Sequence, residues 1–179
     1  MILAPVPRTP DHDIPAPVLT ELTALYAADR EFHALGGDFP DPDDIRPEQV
    51  AAALADELAN PDAEVLLARA EGRLVGVVVT LDRHPDPSDP DPADPDPWIG
   101  LLMVDAGAQG KGYGRRIAEG VEERFRAAGR SAVRLAVLEN NPKGLAFWTA
   151  LGYEVTGHRP DRGHGRPCAV LRKELAEGA

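Results

Sequence analysis

The chain has one cysteine, no long apolar run and no surplus of positive charge, and each shortage removes a class of explanation. Cys168 alone supports neither an intrachain disulfide nor a thiolate metal cluster, so no metal is expected. With only His164 nearby it lacks a nucleophile–base pairing, and it reads as a small residue in a terminal strand. No apolar stretch is long enough to span a bilayer, and the opening Met1-Ile2-Leu3-Ala4-Pro5-Val6-Pro7-Arg8 has no basic end followed by a long apolar stretch. A cytoplasmic location with no membrane partner is the expectation. Lysine and arginine total 19 against 30 aspartate and glutamate, a formal net charge of −11. That field repels phosphate backbones and argues against nucleic acid as a partner.

What is present is ordinary for a globular protein: 179 residues, 43% apolar and 27% charged. This length favours one domain over residues 1–179, with a sizeable core. Val18, Leu22, Leu25 and Tyr26 recur at helical spacing within Pro17 to Leu35, and Gly36-Gly37 stops the pattern, which predicts one helix. Pro47 suits a helix N-terminus, and Val50, Leu54 and Leu58 share a face before Asn60-Pro61 ends it. Two helices therefore precede the first clear strands. Val65–Arg69 and Leu74–Val79, separated by Ala70-Glu71-Gly72-Arg73, read as an antiparallel hairpin.

Residues 85–97 run PDPSDPDPADPDP and offer neither helical periodicity nor bulk to bury, so they read as an extended acidic loop. The functional alternative is an electrostatic funnel for a cationic substrate. Trp98–Val104 is almost continuously apolar, which predicts a central strand buried on both faces. From Lys111 to Ala128, Tyr113, Ile117, Val121 and Phe125 recur every four residues, and Gly129 closes that helix. Ala132–Leu138 completes a strand–helix–strand unit with two parallel strands. Asn141-Pro142 opens a short helix capped by Gly152, and Tyr153–Thr156 with Ala169–Leu171 form a final strand pair.

The richest stretch lies between the apolar strand and the amphipathic helix: Val104-Asp105-Ala106-Gly107-Ala108-Gln109-Gly110-Lys111-Gly112-Tyr113-Gly114-Arg115-Arg116. Gly110, Gly112 and Gly114 remove side chains where a ligand would approach the backbone, and the first helical turn leaves N–H donors without partners. Such a site favours a phosphate or pyrophosphate by roughly 0.3–1 kcal/mol when exposed, and up to about 2 when partly buried. Lys111, Arg115 and Arg116 can add positive charge, or form a solvated face with Glu119. A Walker A loop is excluded, because no lysine at the required spacing is followed by Ser or Thr. A dinucleotide fingerprint fits poorly, because the glycines read GxGxG and the lead-in is two helices and a hairpin.

Gln109, Gly112 and Gly114 satisfy Q/R-x-x-G-x-G/A, and Asn141-Pro142-Lys143-Gly144-Leu145-Ala146-Phe147-Trp148-Thr149-Ala150-Leu151-Gly152-Tyr153 matches N-x-x-A-x-x-x-Y-x-x-x-G-F with replacements at three positions. In both blocks the chain resembles the GNAT superfamily of acyl-CoA-dependent N-acetyltransferases, and the element order extends the likeness over most of its length. The resemblance implies an α/β (α+β) fold with a mixed, splayed β-sheet flanked by helices. It implies acetyl-CoA as cosubstrate, its pyrophosphate held by backbone N–H groups from Gln109, Gly110, Lys111, Gly112, Tyr113, Gly114 and Arg115. The strand residues Leu102, Met103 and Val104 would lie along the pantetheine arm, with main-chain groups of Leu102 and Val104 pairing with it, and Asn141 would also face it. The acceptor would be a primary amine of a small molecule or peptide, cationic if the acidic loop contacts it, and a homodimer is compatible with the resemblance.

Amine acetylation requires a free nitrogen lone pair, and deprotonating a lysine-like amine at neutral pH costs roughly 4–5 kcal/mol. The base is not marked by the sequence, since the strand that carries a glutamate in some family members has no carboxylate here before Asp105. Glu31, His33, Asp38, His84 and Asp96 are candidates. The family position often held by tyrosine is Trp148, whose indole N–H donates a hydrogen bond but is no useful acid at neutral pH. Direct attack in a ternary complex is the expected route. The alternative is a non-catalytic acyl-CoA-binding regulatory module, with a dinucleotide-binding protein a distant third.

Overall fold

The computed structural model describes residues 1–83, 96–161 and 164–175. His84 and most of the acidic loop, residues 85–95, therefore lie outside the described residues. The elements run β1 (Ile2–Pro5), α1 (Ala16–Ala28), α2 (Arg30–Gly36), α3 (Pro47–Ala59), β2 (Ala63–Ala70), β3 (Arg73–Leu81), β4 (Trp98–Val104), α4 (Tyr113–Ala127), β5 (Ala132–Leu138), α5 (Pro142–Ala150), β6 (Glu154–Pro160) and β7 (Pro167–Glu174), with a 3-10 turn at Ala106–Ala108 before α4. The strands hydrogen-bond in the order β1-β2-β3-β4-β5-β7-β6, a mixed and mostly antiparallel seven-stranded sheet flanked by helices. The chain divides into two compact units, one of Met1–Thr80 with Leu101–Gly120, the other of Leu81–Gly100 with the chain from Val121 on.

In the first unit the hairpin turn uses Glu71 at φ 53° and Gly72 at φ 79°. Two successive left-handed residues match the strand twist and set β2 against β3. Leu22, Leu25 and Tyr26 of α1 and Val50 and Leu54 of α3 pack with Val65, Leu67, Val77, Val79 and Met103. Each such fully buried side chain contributes roughly 1.5–3 kcal/mol. Alternate positions of β3 face the other way, and there Gly76 lets α4 approach: a Cβ on it would stand 2.6 Å from Ile117 Cδ1 and 2.7 Å from the Met103 carbonyl oxygen.

The second unit is built on β5, β7 and β6. β7 pairs antiparallel with β5 from Ala132↔Glu174 to Leu138↔Cys168, and β6 pairs antiparallel with β7, its register shifting between Val155 and Gly157. β4 enters parallel to β5, as a strand–helix–strand unit requires, with Trp98 opposite Arg134 and Ile99 opposite Leu135.

The structure corrects three expectations. The predicted helix over 17–35 is two helices, because Asp29 leaves the helical region at φ −109°, ψ 66° and its side chain accepts a hydrogen bond from Phe32 N. An aspartate that caps a new helix outweighs an apolar periodicity running through it. Three helices thus precede the hairpin, and β1, too short and too close to prolines to stand out, precedes them all as the edge partner of β2. Finally, β4 is not buried throughout. Trp98, Ile99 and Met103 are buried, but Gly100 is exposed and Leu101, Leu102 and Val104 are partly exposed. Its apolar run extends beyond the two residues paired with β5 and so exceeds what burial explains.

Candidate functional site

The glycine-rich turn takes the backbone conformation that its composition favours. Gly110 has φ 73° and Gly112 has φ 80°, with Lys111 between them outside the left-handed region. Alternation of this kind points successive N–H groups to one side and makes an anion-binding concavity. The first backbone bond of α4 is donated by Arg116 N to Gly112 O, at 3.2 Å. Among the described residues no N–H from Gly110 through Arg115 makes a backbone hydrogen bond of proper geometry. A Cβ on Gly110 or Gly112 would meet nothing within 4 Å, so glycine serves conformation there, and the space above the turn is open.

The side chains around the turn have partners of their own. Lys111 Nζ donates to the Gly107 carbonyl at 2.6 Å and ties the start of the turn to its middle. Arg115 lies 3.8 Å from Glu119, and the Arg116 guanidinium sits 5.6 Å from the Tyr113 ring centre. Exposed pairs of this kind contribute little to stability and leave the cations free to re-aim. Gln109 Nε2 donates to the Val104 carbonyl at 3.3 Å and to Asp29 Oδ2 at 2.7 Å. Asp105 N donates to Val75 O, which anchors the end of β4 to β3.

The same unit holds three candidate bases, Glu31 and His33 on α2 and Asp38 after it. Glu31 is exposed in the first turn of α2. His33 is 2% exposed, and neither ring nitrogen makes a hydrogen bond of proper geometry among the described residues. It stacks on Tyr26 at 5.4 Å and meets Phe32 and Phe39 edge-on. Burial pushes its pKa below the ordinary value; Asp29, Asp38 and the Tyr26 main chain act more weakly in the opposite sense. A neutral imidazole results, chemically fit to accept a proton but walled in by aromatic rings. Asp38 is exposed on the following turn.

The second unit holds Asp96, Asn141 and Trp148. Asp96 is 5% exposed, and its Oδ2 accepts from Arg134 Nε at 3.1 Å and Arg172 Nε at 2.6 Å. Its carboxylate is thus committed to two charge-assisted bonds that tie β5 to β7. Asn141 caps α5, its Oδ1 accepting from Gly144 N at 2.8 Å. A Cβ at Gly144 would stand 2.8 Å from Asn141 Nδ2, so a larger residue there requires the Asn141 side chain to shift. Trp148 is buried, edge-on to Phe147 at 4.9 Å and to Tyr153 at 5.0 Å. The Tyr153 hydroxyl donates to Glu122 Oε1 at 3.1 Å, and Lys173 Nζ donates to Glu122 Oε2 at 2.7 Å. Burial, reinforced by the Glu122 charge, pushes the Tyr153 hydroxyl far above its ordinary pKa.

Sequence reasoning missed two residues that shape the first unit. Asp29 was legible as an aspartate followed by Arg30-Glu31, a helix-start pattern hidden inside the apolar periodicity. Gly76 carried no signal, because its neighbours Met103 and Ile117 are remote in sequence. Among the described residues no helix is long and apolar enough to cross a membrane, and no group of three His, Cys, Asp or Glu could hold a metal ion.

The sequence profile of the Acetyltransferase (GNAT) family matches residues 23–153. No curated protein sequence matches the chain significantly. Among solved structures, an acetyltransferase from Thermus thermophilus is similar at TM-score 0.68 and 22% identity, covering 98% of each chain. The ribosomal-protein-S18-alanine N-acetyltransferase from Escherichia coli gives 0.62 and 15%, over 93% of this chain and 94% of its own. Aminoglycoside 6'-acetyltransferase type Ii gives 0.61 and 20%, over the whole of both chains.

Proposed function

The chain belongs to the GNAT acetyltransferase family, and from that premise we propose that it transfers an acetyl group from acetyl-CoA to a primary amine of a small molecule or peptide. The observation that carries the donor half is the turn from Gly110 to Arg115, whose N–H groups lack backbone acceptors while two left-handed glycines open the space above them. A pyrophosphate satisfies those donors and meets the positive end of α4. Lys111 and Arg115 supply counter-charge locally, which the donor needs in a protein of net charge −11. Leu102, Met103 and Val104 lead into the turn, and the half-exposed Leu102 and Val104 offer apolar surface and main-chain groups to the pantetheine arm.

In the transfer the neutral amine nitrogen attacks the thioester carbonyl, the carbon–sulfur bond breaks, and the thiolate leaves. The substrate ammonium first loses a proton to water or a neutral base, and as the adduct collapses the thiolate takes a proton from water or from the adduct's protonated nitrogen, leaving a neutral amide. Burial keeps His33 neutral, but Tyr26, Phe32 and Phe39 enclose its ring, so no side chain is assigned as the base. No thiol relay is invoked, since burial holds the Cys168 thiol above its ordinary pKa and therefore protonated.

The test is acetyl-CoA binding by calorimetry in the wild type and in Gly112→Ala. A Cβ at φ 80° costs on the order of 1 kcal/mol in backbone strain and projects into open space. Saturable binding that weakens at least tenfold in a still-folded Gly112→Ala supports the reading. Equal affinity in the two proteins overturns it. Release of CoA thiol that no amine in a broad panel stimulates would favour the non-catalytic alternative.

A further inference from the structure

We propose that Asp29 is a positioning residue that ties occupancy of the glycine-rich turn to the order of α2, so that donor binding stiffens the segment carrying Glu31 and His33. This rests on the donor reading above and adds a residue outside the two motif blocks, Gln109–Gly114 and Asn141–Tyr153.

Asp29 stands at a junction of three elements of the first unit. Its own N–H donates to Tyr26 O and closes α1; its carbonyl accepts from His33 N; and its Oδ1 accepts from Phe32 N at 3.1 Å as the cap of α2. The remaining carboxylate oxygen, Oδ2, accepts from Gln109 Nε2 at 2.7 Å. The orientation of the Gln109 amide follows from chemistry, because both of its contacts, Asp29 Oδ2 and Val104 O, are acceptors only. One carboxylate thus starts α2 with one oxygen and holds the glycine-rich turn with the other, across 80 residues of sequence.

The receiving helix is built to respond. α2 has seven residues, of which only His33 and Gly36 are buried. A helix of that length is marginal without its cap, so a change at the cap moves its population. Gln109 is an exposed side chain with many rotamers, and ordering of the turn by an anion restricts them to the one that meets Asp29. Linkage makes the effect reciprocal: if the turn orders α2, an ordered α2 improves the turn for its anion by the same factor.

The experiment is hydrogen–deuterium exchange over residues 30–37 and 106–116, with and without saturating acetyl-CoA. In the wild type acetyl-CoA should slow exchange over both segments, by about fivefold in α2, the effect of one exposed charge-assisted bond. Asp29→Asn keeps a competent cap but turns an amide donor toward the Gln109 amide, so α2 should no longer respond, and donor binding should weaken by up to about fivefold, the same factor by reciprocity. Gln109→Glu should also break the link, by setting two carboxylates face to face. The double variant Asp29→Asn/Gln109→Glu reverses donor and acceptor between the two side chains while leaving the Val104 carbonyl without its donor, and should restore part of the response, which a merely structural role for Asp29 would not produce. An undiminished response in Asp29→Asn, or a double variant no better than the singles, overturns the proposal. Without ligand, Gln109→Ala should speed exchange over residues 30–37, and no change there also overturns it. Failure of acetyl-CoA to protect residues 106–116 in the wild type overturns the donor reading and with it any role of the link in transfer, even where the ligand-free result shows the link itself.

Discussion

Replacing Gly76 with alanine tests the packing that sets the site's foundation. The new Cβ would lie 2.6 Å from Ile117 Cδ1 and 2.7 Å from the Met103 carbonyl oxygen, both far inside van der Waals contact, with Ala68 Cβ at an ordinary 3.8 Å. Ile117 is fully buried and has little room to turn, and the carbonyl belongs to the backbone of β4. Overpacking at such a point costs about 2–3 kcal/mol, which in a chain of this size lowers Tm by roughly 5–10 °C. Ile117→Val deletes Cδ1 and alone should cost about 0.5–1.5 kcal/mol. In the alanine background it relieves one clash and leaves the other, so the double variant should fall short of additivity by on the order of 1 kcal/mol. Thermal and urea unfolding of the four proteins by circular dichroism measures this. Because β4 and α4 bracket the glycine-rich turn, acetyl-CoA affinity should fall in Gly76→Ala, although the residue is buried beneath the turn's supports. Additive costs, or a loss under about 0.5 kcal/mol for Gly76→Ala, would refute the close approach of α4, β3 and β4.

Burial holds the His33 pKa below its ordinary 6.5, so the unfolded chain binds that proton more tightly than the folded one. Its contribution is intact above about pH 6.5 and is lost as pH falls from there toward the folded-state value, at no more than about 1.4 kcal/mol per pH unit; His33→Phe should flatten that part of the stability profile, and an unchanged profile would contradict the assignment. Tyr153→Phe leaves one oxygen of the buried Glu122 carboxylate without its 3.1 Å donor and should cost about 1.5–3 kcal/mol in chemical denaturation, whereas a neutral result would show that Lys173 alone satisfies Glu122. Cys168→Ala should leave acetyl transfer within about twofold of wild type, and an acyl group trapped on Cys168 would exclude direct attack.

Much of the architecture was legible because its signals are local. The Glu71-Gly72 turn, the apolar stripes of α3 and α4, and the Asn141-Pro142 start of α5 each depend on a few neighbouring residues. The same locality misled at α1 and α2, where apolar spacing continued across a break that a capping side chain imposes. It misled again at β4, where an unbroken apolar run implied two covered faces and the strand proved partly exposed at Leu101, Leu102 and Val104. An apolar residue left partly exposed and one facing a core look alike in sequence.

The sequence by itself determined the conformation of the glycine-rich turn and the family. A left-handed backbone at Gly110 and Gly112, followed by a helix start, needs only glycines at the right spacing and an amphipathic pattern beyond them. What each polar side chain does was decided only by the tertiary structure. Asp96 is clamped by Arg134 and Arg172, Tyr153 is bound to Glu122, His33 is enclosed by aromatic rings, and Asp29 joins Gln109. Backbone conformation is dictated within one turn of chain, whereas a carboxylate's protonation and role depend on partners that folding brings from tens of residues away.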